Sequence, residues 1–191
     1  MKDFTLIFIF LCFAIQIIFW IVTAFSTKQA SENRGGWTMR ISALIIVGSV
    51  IFLKDQIATI VPFLGINFWP RSFTTGIVAD AATFLGMAIM IWARITLGKN
   101  WSANVVFKEN HELITHGPYS YARHPIYSGL LLMVLGVAIY SGSSIWFLFF
   151  VLFFLGAYYK AYKEEKLLIK YFPEEYPAYA RRVRAIIPFV L

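Results

Sequence analysis

Two polar clusters interrupt an otherwise apolar sequence. The first, HGPYSYARHPIYSG, runs from His116 to Gly129 and places an Arg-His pair directly ahead of a proline. The second, KAYKEEKLLIKYFPEEY, carries adjacent carboxylates at Glu164 and Glu165. A residue before proline is pushed out of the α region, whereas proline is favoured at the first position of a helix. A helix is therefore expected to start at Pro125, with Arg123 and His124 just ahead of its N-terminus. The free N–H groups and partial positive charge at such an end attract anions. Arg123 adds a planar fork suited to a carboxylate, and Gly117-Pro118 makes a turn in front of it. Brought together, cationic donors and a glutamate pair would match the zwitterionic α-amino acid end of a small ligand.

The surrounding sequence is built for lipid. A soluble domain carries about a quarter charged residues; this chain of 191 residues has 14%, with 59% hydrophobic. A single cysteine, Cys12, excludes a disulfide framework and a Cys-based zinc site, and three scattered His suggest no metal. The net charge of +7 is what the basic loops of an integral membrane protein require and does not call for nucleic acid. The chain reads as one all-α membrane domain, 1–191, with about five transmembrane helices. Residues 1–97 hold three spans, and 98–191 a loop, a helical hairpin and a C-terminal tail. The spans are Phe4–Phe25, Ile41–Leu53, Gly76–Leu97, Pro125–Tyr140 and Ile145–Tyr159. A signal peptide is the alternative for the first, but its apolar run exceeds the usual h-region. The segment IATIVPFLGINFWPRSF reads as interfacial or re-entrant.

SGSS between the last two spans is a turn signal, so these spans form a tight antiparallel hairpin. The start of one and the end of the other are then neighbours, which brings Arg123 and His124 close to Glu164 and Glu165. With the tail in the cytoplasm, 13 of the 17 Lys and Arg fall on that side, three on the other, and Arg94 within a span. The positive-inside rule favours this orientation, and Arg94 is expected to snorkel toward the surface. Blander readings stay open. Basic and aromatic residues populate membrane interfaces anyway, the glutamates also fit a solvated helix with Lys160–Glu164 support, and Arg181, Arg182 and Arg184 also fit an interfacial segment binding anionic lipid.

HELITHGPYSYARHPIYSG, a hairpin, then EEKLLIKYFPEEYPAYARRVRAIIPF resembles the isoprenylcysteine carboxyl methyltransferase family, part of a wider membrane methyltransferase group that includes phospholipid N-methyltransferases. The resemblance covers His111 to Phe189, supported upstream by LGKNWSANV. It implies S-adenosylmethionine as cofactor, held at the cytoplasmic end of the last two helices. Carried over position by position, Arg123 and His124 match motif residues near the cofactor. Tyr119, Pro125 and Tyr127 match residues shaping its pocket, and Leu113 and Ile114 residues offering backbone contacts. His111 and Gly117 fall within the same cofactor-binding stretch. Glu164 and Glu165 match the carboxylates that hold the cofactor's amino group. Arg182 matches a tail arginine that positions the substrate carboxylate, so Arg123 and Arg182 are the implied catalytic pair.

The implied acceptor is the carboxylate of a prenylated cysteine or a similar lipidic acid, entering from the bilayer. A phospholipid amine is the nearest alternative; a membrane reductase and a non-enzymatic membrane protein are more distant ones. Methyl transfer to a carboxylate asks the protein mainly to align two reactants, with no metal.

Overall fold

The computed structural model describes residues 2–24, 60–98 and 112–190. Among them the fold is helical, with two isolated bridges and no strand. The helices are α1 (Lys2–Ala24), α2 (Phe73–Leu97), α3 (Pro125–Ser141), α4 (Ser144–Tyr171) and α5 (Glu175–Arg182). Helices α1, α2 and α4 are long and apolar enough to cross a membrane, and α3 is a shorter apolar helix. Helix α1 is packed into the body of the protein, where Ile9 and Cys12 are core residues. The expected span Ile41–Leu53 lies outside the described residues.

Helices α1 and α2 run parallel. Thr5 Oγ1 donates to Asp80 Oδ2 at 3.3 Å near one end, and Arg94 Nη2 donates to the Thr23 carbonyl at 2.9 Å near the other. Ala24 and Phe73 therefore sit at opposite ends of the bundle. Arg94 departs from its expected position. It is 3% exposed, and its Nη1 donates to the Gly98 carbonyl at 2.9 Å. Terminal helix carbonyls lack intrahelical partners and carry partial negative charge. A guanidinium tying the ends of α1 and α2 satisfies them without reaching the surface.

The tightest contact in the bundle is α2 against α3, antiparallel. A methyl group at Gly86 would collide with the Gly129 carbonyl, and one at Gly129 with the Gly86 carbonyl. Gly136 approaches Thr83 and the Ala79 backbone just as closely. Lipid tails are as apolar as leucine, so membrane helices associate through close van der Waals packing of small residues. Thr83 returns its hydroxyl to the Ala79 carbonyl at 2.8 Å, which satisfies its own polar atom in the seam. Cys12, Met87, Met90 and Met133 fill the adjoining core.

Helix α2 begins earlier than the apolar run suggests. Ser72 and Thr75 form a reciprocal capping box, which supplies the first turn with partners. At the α3–α4 turn Gly142 takes φ +66°, a left-handed conformation that glycine adopts without steric cost. The Pro62–Gly65 3-10 turn and the residues after it fold over this turn. Phe68 N donates to the Gly142 carbonyl at 2.8 Å, Ser144 N to Ile66 at 2.9 Å, and Ser144 Oγ to Phe63 at 2.7 Å. This stretch thus seals the hairpin at the end opposite the polar clusters.

Candidate active site

At the open end of the hairpin, the Arg-His pair and the glutamate pair meet. Pro125 is the first residue of α3, as its chemistry demands, and is fully buried. Helix α4 continues past the apolar run to Tyr171, and this extension carries Glu164 and Glu165 alongside the start of α3. Arg123 contacts Glu165 Oε1 through Nε at 2.9 Å and Nη2 at 2.7 Å. His124 Nε2 lies 3.1 Å from the same oxygen. Glu164 accepts from the Tyr127 hydroxyl at 2.6 Å, with Lys160 Nζ at 4.0 Å and His124 Nδ1 at 3.6 Å. The His124 and Tyr127 rings stack at 5.6 Å.

The tail closes over this group. Arg123 Nη1 donates to the Ala180 carbonyl at 3.1 Å and also to that of Val183. The Arg123 and His124 amides donate to the Arg184 and Ala185 carbonyls, each at 2.8 Å. Ser128 Oγ donates to the Ile186 carbonyl, and the Tyr179 hydroxyl to the Tyr119 carbonyl. Ile186 packs against Leu131, Ala157 and Ala161. Every nitrogen of the Arg123 guanidinium is thereby engaged by protein. Its fork does meet a carboxylate, as its geometry suggested, but the carboxylate is Glu165. Arg123 thus couples α3, α4 and the tail.

The other expected site residues fall as follows. Gly117 opens the 3-10 turn Gly117–Ser120 at φ +63° and rests on Thr96 and Trp92. Tyr119 is buried in that turn, and Leu113 and Ile114 lie half-buried in the irregular lead-in. Arg182 is exposed in the last turn of α5 and makes no hydrogen bond or ion pair among the described residues. His111 lies outside the described residues.

Sequence reasoning missed Tyr176 and Tyr179. Their three-residue spacing in EYPAYARR put both on one face of a short helix, the only available hint. Tyr176 is 1% exposed and lies beside Arg123 and Glu165. Its hydroxyl makes no well-aligned hydrogen bond among the described residues, although Arg123 and Glu165 lie close to it. Burial, reinforced by the Glu165 carboxylate, pushes this phenol well up, so it stays neutral and keeps its O–H as a donor. Burial raises Tyr119 and Tyr179 as well.

The Tyr176 hydroxyl thus lies beside the Glu165 carboxylate, with Glu164 one residue away on the same helix. Among the described residues no cluster of His, Cys, Asp or Glu is suited to a metal.

Fold and site together define an integral-membrane helical protein with a charged centre at the mouth of a hairpin, sealed by its C-terminal tail. The sequence model of the phospholipid methyltransferase family matches residues 74–175, and the chain belongs to that family. It is 31% identical over 127 residues to a probable protein-S-isoprenylcysteine O-methyltransferase of Oryza sativa subsp. indica, covering 65% of this chain and 64% of that protein. It is 28% identical over 166 residues to protein-S-isoprenylcysteine O-methyltransferase B of Arabidopsis thaliana, covering 82% of each. The structure of the eukaryotic intramembrane Ras methyltransferase, isoprenylcysteine carboxyl methyltransferase, shares the fold, with a TM-score of 0.59 at 23% identity. That match covers 84% of this chain and 55% of the other. The chain thus spans under two thirds of the length of the rice protein.

Proposed function

We propose that the protein is an S-adenosylmethionine-dependent methyltransferase acting on a lipid-embedded acceptor, the carboxylate of a prenylated cysteine or a similar lipidic acid. The observation that carries this reading is the meeting of Glu164 and Glu165 with Arg123 and His124, with the buried Tyr176 hydroxyl beside Glu165, in a chain of the phospholipid methyltransferase family. When bound, S-adenosylmethionine supplies a methyl group activated by a sulfonium sulfur. Glu164 and Glu165 hold its ammonium, and the Tyr176 hydroxyl orients the same end. Backbone groups of Leu113 and Ile114, with Gly117, Tyr119, Pro125 and Tyr127, shape the pocket, and His111 belongs to the same stretch. Arg123 and His124 fix the carboxylates in place. Arg182, exposed and uncommitted, pairs with the acceptor carboxylate.

A carboxylate acceptor is already a nucleophile, so no base is required and the protein's work is alignment. The excess of basic residues on the site's side supports a cytoplasmic active site. A phospholipid amine is the second acceptor class, favoured by the family whose sequence model matches; its nitrogen must lose a proton during the reaction. Transfer of labelled methyl to a farnesylcysteine analogue, run beside a phospholipid mixture, separates the two. Label on the farnesylcysteine analogue is expected. Label only on phospholipid would move the assignment to the amine class, and label on neither would remove the activity.

A further inference from the structure

Beyond Tyr159 the described residues carry seven basic side chains, Lys160, Lys163, Lys166, Lys170, Arg181, Arg182 and Arg184, against four glutamates. Glu164 and Glu165 are turned inward onto His124, Arg123 and Tyr127. Only Glu174 and Glu175 remain to offset the exposed cations. The surface on the site's side is therefore strongly positive although the sequence there is more balanced.

Two features aim this charge at the membrane. Lys163 folds back over the Tyr159 ring at 4.6 Å and Lys166 over Tyr162 at 4.5 Å, each one turn nearer the apolar run. The tail, after its exposed arginines, places Ile186 among Leu131, Ala157 and Ala161, at the level of the spans. The residues just beyond it stay uncovered, Phe189 at 86% and Val190 at 70% exposure. Basic residues followed by an exposed apolar end fit a bilayer surface bearing negative charge.

We propose that the tail from Arg181 to Val190 docks on anionic lipid headgroups, and that this docking holds the tail closed over Arg123 and His124. The coupling runs through the carbonyls of Ala180, Val183, Arg184 and Ala185, all of which accept from those two residues. A tail that lifted from the membrane would give up these bonds and open the site.

The test is hydrogen–deuterium exchange on the full chain in nanodiscs of phosphatidylcholine, with or without phosphatidylglycerol. It needs neither substrate nor cofactor, so its outcome is separate from that of the methyl-transfer reading, whose failure would show as absent cofactor binding in both lipids. Phosphatidylglycerol is expected to slow exchange of the Arg123 and His124 amides, which donate to the tail carbonyls, about tenfold. Arg181→Gln with Arg184→Gln is expected to abolish the difference, and the double lysine variant to keep it. Wild-type protein in discs doped with a cationic lipid tests the same point without substitution and is expected to exchange faster. Equal exchange in all lipids, or a lipid effect that survives the glutamine variant, would overturn the proposal and leave the patch to an acidic soluble partner.

Discussion

Arg123 and Glu165 are 42 residues apart in sequence, yet two guanidinium nitrogens of the first lie within 2.9 Å of one carboxylate oxygen of the second. The side chains are only 12% and 19% exposed, so the pair is largely withdrawn from water. Its remaining bonds go to tail carbonyls. The ion pair thus holds together two helices and the segment that covers them.

Arg123→Ala should be among the most damaging single changes. Removing one member of a buried pair strands the other and costs about 3 kcal/mol. Chemical unfolding in detergent should show that loss, and methyl transfer should vanish with it. Arg123→Lys should recover part of the stability but little activity, because one ammonium cannot serve Glu165 and two carbonyls at once.

Glu165→Gln and Tyr127→Phe should differ in degree. The first removes the charge facing the ammonium and should abolish measurable binding of S-adenosylmethionine or its demethylated product by calorimetry. The second keeps the Glu164 side chain but frees it from the Tyr127 hydroxyl, and should weaken binding about fivefold, the worth of one modest hydrogen bond. Equal binding by Glu165→Gln and wild type would remove the carboxylates from the cofactor site.

Arg182→Ala probes the acceptor side alone. Since Arg182 is exposed and outside the ion-paired cluster, thermal stability and cofactor affinity should be unchanged. The KM for a farnesylcysteine substrate should rise at least about tenfold, as expected when a charge-assisted contact is lost. Unaltered kinetics would end its assigned role.

Alkaline stability should report the buried phenols. Tyr119, Tyr176 and Tyr179 all have folded-state pKa values raised by burial. Their neutral forms stabilise the fold below the unfolded phenol pKa of about 10, and that contribution is lost progressively as pH climbs above it. Tyr179→Phe should lower stability at neutral pH by the lost bond to Tyr119, and should make the decline above about pH 10 shallower by one proton. Denaturant titrations of both proteins across that range give the comparison.

Gly129→Leu tests the seam between α2 and α3. The new side chain would meet the Gly86 carbonyl and Met90, and overpacking of this kind costs about 1–3 kcal/mol or more. Because α3 also carries His124 and Tyr127 to the site, activity should fall along with thermal stability.

Much of this arrangement was legible in the residues themselves. Proline's fixed geometry announced the start of α3, the SGSS turn declared a hairpin, and hairpin topology alone made neighbours of Arg123 and Glu165. Apolar run length located α1, α2 and α4, the three described helices long and apolar enough to cross, because a bilayer imposes that length whatever the packing. The capping box at Ser72 could also have been found, had the polar lead-in been weighed beside the apolar count.

How the polar groups divide their bonds was settled only by the tertiary structure. Arg123 looked open to a ligand, but its nitrogens are filled by Glu165 and by carbonyls about 60 residues away. Arg94 looked destined for the surface, and instead joins the ends of two helices. Residue type fixes how many bonds a side chain can make, and local periodicity fixes the face it occupies. Which partners satisfy it depends on segments folding back from far along the chain, where spacing in sequence carries no information about distance.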